Sequence, residues 1–293
     1  MIGALATTLC FAVTAVFANR AAHRVGSTSA NFLRLLIAAV VLGLWSHTIG
    51  SGPGGRSLPW FLASGLAGFG IGGFAMFQSL PRLGSSLSML IVQCGSAVCA
   101  ATLEWSWLGT RLAYVQVACI AATLVGISIG MMPRSLPPVP PTERTAGIAW
   151  AILAALGQGA GAVMSRKAFA VAKGFGESID AGTAAYERAL AGLFVAAIAL
   201  AIAFSLRRDL PREKGRAWPW VVANAITGPI LGVAFFQWAL STTPAGIVQA
   251  IAATSPLLTI PIAGRFEGRW PLPRYYLGTL IAVTGIAGLF VLR

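Results

Sequence analysis

Charge is scarce in this chain. Only 10% of its 293 residues are Asp, Glu, Lys or Arg, and only eight are acidic, whereas a soluble domain carries about 25% charged residues. Water is therefore excluded as the solvent for most of the folded surface. Histidine is scarcer still, with His23 and His47 far apart in sequence. Hydrolysis or group transfer at a membrane face needs a carboxylate cluster, a histidine or a nucleophile–base pair, and these scattered residues do not make one. The four cysteines, Cys10, Cys94, Cys99 and Cys119, lie inside apolar runs with no CxxC pair or Cys/His ligand set. They read as small buried hydrophobes. No enzyme, no metal and no cofactor is expected.

Apolar residues take the place of charge. They make up 57% of the chain, and glycine contributes 34 residues, which suits helices that approach closely in lipid. A bilayer core about 30 Å thick takes about 20 apolar residues per helix. With that ruler the chain divides into ten transmembrane spans: 2–19, 29–49, 59–80, 84–104 and 112–132, then 146–166, 181–206, 218–240, 244–264 and 273–292. The first lacks a basic start and a convincing cleavage site, so it reads as a retained helix. Short connections such as Ser51-Gly52-Pro53-Gly54-Gly55 force consecutive spans to run antiparallel. The net charge of +13 is spread singly or in short clusters between the apolar runs, which is the pattern of helix flanks and excludes a nucleic-acid face.

Residues 133–145 are Pro-rich and read as a linker over the membrane surface. The linker divides the chain into a first five-helix repeat, 1–132, and a second, 146–293. Pro59-Trp60 opens the third span and Pro219-Trp220 the eighth. Gly68-x-x-x-Gly72 then matches Gly228-x-x-x-Gly232 at the same offset, Phe77-Gln78 matches Phe236-Gln237 one residue out of step, and Arg34 answers Arg188. Five helices is an odd number, so the second repeat must be inverted relative to the first. Inverted repeats give many secondary transporters two access states from one fold.

Asn31-Phe32-Leu33-Arg34, Tyr186-Glu187-Arg188, residues 236–240 (FQWAL), Thr243-Pro244-Ala245-Gly246, Ser255-Pro256 and Phe266-Glu267-Gly268-Arg269 carry a further likeness. With Gly126 and Gly285 in the fifth and tenth spans, they resemble the EamA-type carriers of the drug/metabolite transporter superfamily. The resemblance implies an all-α membrane protein with a central cavity lined by the first, third, fourth, sixth, eighth and ninth helices. Exporters of amino acids are the nearest relatives it suggests, beside drug, nucleobase and nucleotide-sugar carriers. Small multidrug members of the superfamily use a Glu in their first helix for proton coupling. This chain has no acid there, so facilitated movement down the substrate gradient is the simpler expectation.

Polar side chains inside a membrane are costly and face a partner or a water-filled cavity. Gln78, Gln93, Gln158, Gln237 and Gln249 are the main set, each offering donors and an acceptor suited to a zwitterion. Gln78 and Gln237 stand in matching repeat positions. Arg34 and Arg188 can grip a carboxylate or snorkel and pin helix ends. Tyr186 and Trp238 complete the candidate substrate-binding residues. Phe74, Phe77, Phe235 and Phe236 are candidates to pack around an apolar group, while Trp105, Trp107, Trp218, Trp220 and Trp270 read as interfacial anchors. Glu104 and Glu187 are the carboxylates nearest helix interiors. Pro256 and Pro261 interrupt the ninth span and Gly95 sits at the related place in the fourth, making these the candidate moving parts.

The larger share of Lys and Arg falls in the connections after the first, third, fifth, seventh and ninth spans, with a cluster at 207–216. By the positive-inside rule this places both termini outside the cytoplasm, whereas the resemblance implies both inside. The expected setting is a bacterial inner membrane, with a small-molecule substrate and lipids as partners and a monomeric chain.

Overall fold

The computed structural model describes residues 1–133, 138–206, 216–267 and 271–291, without the side chains at 263 and 265–267. The described chain is helical almost throughout. Nine of its helical stretches are long and apolar enough to cross a membrane. One of them, Leu58–Leu108, runs 51 residues, about twice what a bilayer needs. It breaks at Gly84, whose φ of +78° lies in the region that glycine alone occupies at low cost, three residues after Pro81 has removed a helix donor. Residues 58–83 and 85–108 are therefore the third and fourth spans, and ten spans result.

The remaining spans are Ile2–Val25, Ser27–Thr48, Tyr114–Met131, Pro141–Gly174, Ala181–Ser205, Trp218–Thr242, Ala245–Ile262 and Pro273–Val291. The sixth starts inside what the sequence reads as linker. Pro140 and Pro141 occupy the N-cap and first helical positions, where a missing N–H costs nothing and a fixed φ suits the helix. The Pro-rich linker is thus shorter than expected, and its residues 134–137 lie outside the described ones. So do most of the 207–216 cluster, Trp270 and Gly268-Arg269. The ninth span is interrupted, with Ala245–Ala252 and Ser255–Glu267 separated just before Pro256. Pro261 stays within the second piece, and the fourth span passes Gly95 without a break.

Consecutive spans alternate in direction, so the start of the first span defines one face, the near face, which also carries residues 49–57 between the second and third spans. The other, far face carries the single-residue turn at Gly26 and the break at Gly84.

Packing respects the two halves. The second span packs on the seventh and the fifth on the tenth, while the fourth with the sixth mirrors the ninth with the first. Exchanging each span for its counterpart in the other half maps these principal contacts onto one another, as an inverted repeat requires. Small residues set the distances. A β-carbon on Gly126 would run into the Ala282 nitrogen and the Gly278 carbonyl, and one on Gly278 into Gly130, so backbone meets backbone between the fifth and tenth spans. Outward positions carry large apolar side chains such as Leu44, Phe194 and Leu280, which face lipid. Trp105, Trp107 and Trp218 are exposed at span ends, as expected of anchors at the membrane surface.

The third and eighth spans share a further feature. Each loosens into π-helical turns, over Leu66–Gly72 and Ile226–Ile230, starting 160 residues apart. Such turns widen the helix and often mark functional positions.

Candidate functional site

The widened turn of the third span meets Arg188. This side chain is 6% exposed, on the near-face end of the seventh span. A β-carbon on Gly68 would lie 2.6 Å from Arg188 Nη2, so a side chain there would displace the guanidinium from its present position. The Phe69 and Phe236 rings flank it, with their centres 5.1 and 5.5 Å from the guanidinium carbon. Nε and Nη1 have no hydrogen-bond partner, and no carboxylate pairs with the group among the described residues. Ring faces offset about 2 kcal/mol of such a charge's desolvation, while an uncompensated buried ion costs several. Its two unbonded donors are chemically able to hold an anion.

A polar chain runs beside it. Ser64 Oγ donates to the Gly161 carbonyl at 2.6 Å and lies 2.8 Å from Ser165 Oγ. The Gln237 amide donates to Ser165 Oγ at 3.1 Å, and its Oε1 is buried without a partner. Gly161 also borders Arg188, with a β-carbon there 3.3 Å from Nη2. The third, sixth, seventh and eighth spans thus converge on one buried cluster with unused donors on Arg188 and an unused acceptor on Gln237.

The other candidates from the sequence are dispersed. Gln78 is not beside Gln237. Its carbonyl accepts from Arg82 at 2.6 Å and its Oε1 at 3.3 Å, and Arg82 pairs in turn with Glu143 at 2.8 Å on the far face. The one-residue slip between Phe77-Gln78 and Phe236-Gln237 is the reason: in the register set by the π-helical turns Gln237 answers Phe77, which is 41% exposed. Gln93 and Gln249 bridge the fourth and ninth spans, to Ser255 at 3.4 Å and Ser96 at 2.8 Å. Gln158 reaches only the Met76 sulfur, at 4.0 Å. Trp238 is 47% exposed and packs on Phe235 at the outer surface, away from the cluster. Tyr186 meets His47 edge-on at 5.8 Å between the seventh and second spans. Arg34 donates to Asn31 Oδ1 at 3.0 Å near the far face.

The carboxylates have structural partners. Glu187 Oε1 accepts the Gly54 amide at 2.8 Å. Glu104, 2% exposed, accepts from Ala245 and Gly246 at the start of the ninth span, at 2.5 and 3.3 Å, and pairs with Arg166 at 3.3 Å. His23 lies at the far-face end of the first span, so Glu104 and Glu187 at the near face do not converge with it into a catalytic pocket. Among the described residues no group of His, Cys, Asp and Glu is placed to hold a metal. An outward groove of about 380 Å³ lies between the third and seventh spans, lined by Leu62, Ala63, Leu66, Leu190, Ala191 and Phe194; it is apolar and distinct from the buried cluster.

Sequence reasoning missed Ser64, Ser165 and Gly161. The available signal was the spacing Gly157-x-x-x-Gly161-x-x-x-Ser165 in the sixth span, small residues four apart on one face that carries a hydroxyl.

The model of the EamA-like transporter family matches residues 1–132 and 145–291. The chain belongs to the EamA-like transporter family. It is accordingly a multi-pass membrane transporter of small substrates. The two matched segments fall on the two halves, joined through the Pro-rich stretch. A solved crystal structure similar in fold aligns over 99% of this EamA-like chain and 96% of its own, at 18% identity and a TM-score of 0.78. None of the curated proteins matches the sequence.

Proposed function

We propose that this EamA-like protein is a secondary transporter that moves amino acids and related small carboxylates across a bacterial inner membrane by alternating access. The observation that carries the reading is the buried Arg188 guanidinium, whose Nε and Nη1 have no partner among the described residues, in one cluster with the unbonded Gln237 Oε1. A zwitterion answers both: its carboxylate takes the Arg188 donors and its ammonium donates to Gln237 Oε1. Phe69 and Phe236, already against Arg188, suit an apolar side chain. The interrupted ninth span and the widened turns of the third and eighth supply the elements that rearrange, since backbone freed from regular bonding is tolerated where it lines a pathway. No acid stands within the cluster, which supports movement down the substrate gradient.

The test is uptake into sealed liposomes containing the purified protein, using labelled aromatic and aliphatic amino acids, nucleobases and organic cations. Amino-acid uptake without an imposed proton gradient is the expected result. Uptake confined to nucleobases or cations refutes the assignment.

A further inference from the structure

Arg188 has a counterpart built by the same plan in the other half. Arg34 lies a few residues inside the far-face end of the second span, as Arg188 lies inside the near-face end of the seventh. Each arginine belongs to one repeat and addresses the π-turn glycine of the other. A β-carbon on Gly68 would meet Arg188 Nη2, and one on Gly228 would lie 3.8 Å from Arg34 Nη1. Ser64 stands four residues before Gly68, as Asn224 stands four before Gly228. Ser64 bonds to the sixth span at Gly161 and Ser165. Asn224 accepts from Thr14 of the first span, the counterpart of the sixth, at 2.9 Å through Oδ1. Asn224 Oδ1 and Thr14 Oγ1 also border Gly228, at 3.7 and 2.8 Å from the same β-carbon position. The two clusters therefore match span for span: seventh, third and sixth against second, eighth and first.

Arg34, like Arg188, pairs with none of the described carboxylates. Its Nε donates to the neutral Asn31 amide oxygen, an acceptor that carries no charge to balance it. Glu143, the far-face acid among the described side chains, is held by Arg82. Two guanidiniums without a carboxylate partner among the described residues, at opposite ends of the bundle and each beside the π-turn glycine of the other repeat, are poorly explained as lipid anchors. A snorkelling arginine directs its donors at the headgroups, whereas these point across the interface between the repeats.

We infer that Arg34, with Asn224 and Thr14 at Gly228, is a second carboxylate-binding station, which receives the substrate's anionic group at the far face as Arg188 receives it at the near face. The inference rests on the amino-acid reading above and adds that recognition of the carboxylate occurs at both ends of the path. An anion crossing the membrane core then meets a fixed cation on entering from either side and exchanges one for the other as the halves rock. The stations differ in one respect. Arg188 has two aromatic rings against it, while the far-face cluster offers hydroxyl and amide groups, so the far station reads the carboxylate and not the apolar side chain.

The experiment uses the full chain in liposomes sorted by orientation, with labelled leucine and phenylalanine compared against isoamylamine and phenethylamine, which lack the carboxylate. Arg34→Gln is expected to raise the half-saturating amino-acid concentration at the far face by about tenfold and to leave the near face within about twofold, with Arg188→Gln doing the reverse. Arg34→Lys recovers part of the loss. Asn224→Asp, which places a carboxylate beside Arg34 and occupies it, gives the same far-face defect and serves if Arg34→Gln does not fold. A folded Arg34→Gln or Asn224→Asp that shifts both faces alike, or neither, overturns the second station while the amino-acid reading stands. Uptake of the amines as readily as the amino acids, or of neither amino acid by folded wild-type protein, overturns that reading and the station with it.

Discussion

Glu187 and Arg188 are neighbours in sequence and do not pair. The carboxylate turns to the near-face loop, where Oε1 accepts the Gly54 amide at 2.8 Å, and the guanidinium turns inward over Phe69 and Phe236. Successive residues on a helix point about 100° apart, and each side chain has found a different task. Glu187 anchors a loop, and Arg188 keeps its Nε and Nη1 unbonded among the described residues.

Gln237 is expected to matter for substrate and Gln78 is not. Gln237→Leu removes the unbonded Oε1 and the bond to Ser165, and should raise the half-saturating concentration by about tenfold, or about 1.4 kcal/mol, with normal insertion. Gln78→Leu touches only the Arg82 pair and should leave the uptake kinetics within about twofold. Equal effects in the two variants would remove Gln237 from the site.

Glu104 ties three elements at the near face: the fourth span, Arg166 of the sixth and the start of the ninth. Glu104→Ala leaves two backbone N–H groups and part of a guanidinium without their acceptor, a loss of about 2 kcal/mol or more. Thermal unfolding in detergent should begin several degrees lower, and Arg166→Ala in the same background should add little further, because the two residues act as one unit.

Gly126 and Gly73 make a paired test of helix approach. A β-carbon on Gly126 would overlap Ala282 and Gly278, whereas one on Gly73 meets nothing within 4 Å. Gly126→Ala should separate the fifth and tenth spans and lower stability by about 1–3 kcal/mol. Gly73→Ala should be neutral or slightly stabilising. Thermal midpoints of the two purified variants check the contrast.

Asp180 governs how the near-face loop responds to pH. Burial pushes its carboxyl up, but hydrogen bonds from Thr183, Ser51 and Trp45 outweigh burial and hold it below the usual carboxylate range. A carboxyl whose folded pKa is depressed contributes stability that is complete above its unfolded value, about 4, and lost as pH falls through the folded one. The loop should therefore stay docked from about pH 8 down to about pH 5. A nitroxide at Pro53→Cys, with the four native cysteines replaced, should report constant mobility over that range. Asp180→Asn, which cannot accept the same six hydrogen bonds as a charged group, should raise the mobility at every pH.

Much of the architecture was legible in the residues because lipid imposes a simple rule: about 20 apolar residues per crossing, with turn residues between. Hydropathy placed the break between the third and fourth spans at 81–83, next to the kink the structure shows at Gly84, and the Gly68/Gly228 match identified the repeat. The sequence overestimated the linker because Pro141 is a helix-starting residue as readily as a helix-breaking one. It misjudged the Gln78 and Gln237 pair because a slip of one residue turns a side chain by about 100° and moves it from an interface to the periphery.

The sequence by itself determined that the chain lives in lipid, crosses it ten times and does so in two related halves, since hydropathy and repetition are written locally. Tertiary structure alone decided which polar residues meet. Whether a glutamine bonds to a serine across the bundle, and whether an arginine finds a carboxylate or remains open at a glycine turn of the opposite repeat, depends on helix rotation and on contacts between residues more than a hundred positions apart. No local pattern fixes those quantities, and the candidate site is made of them.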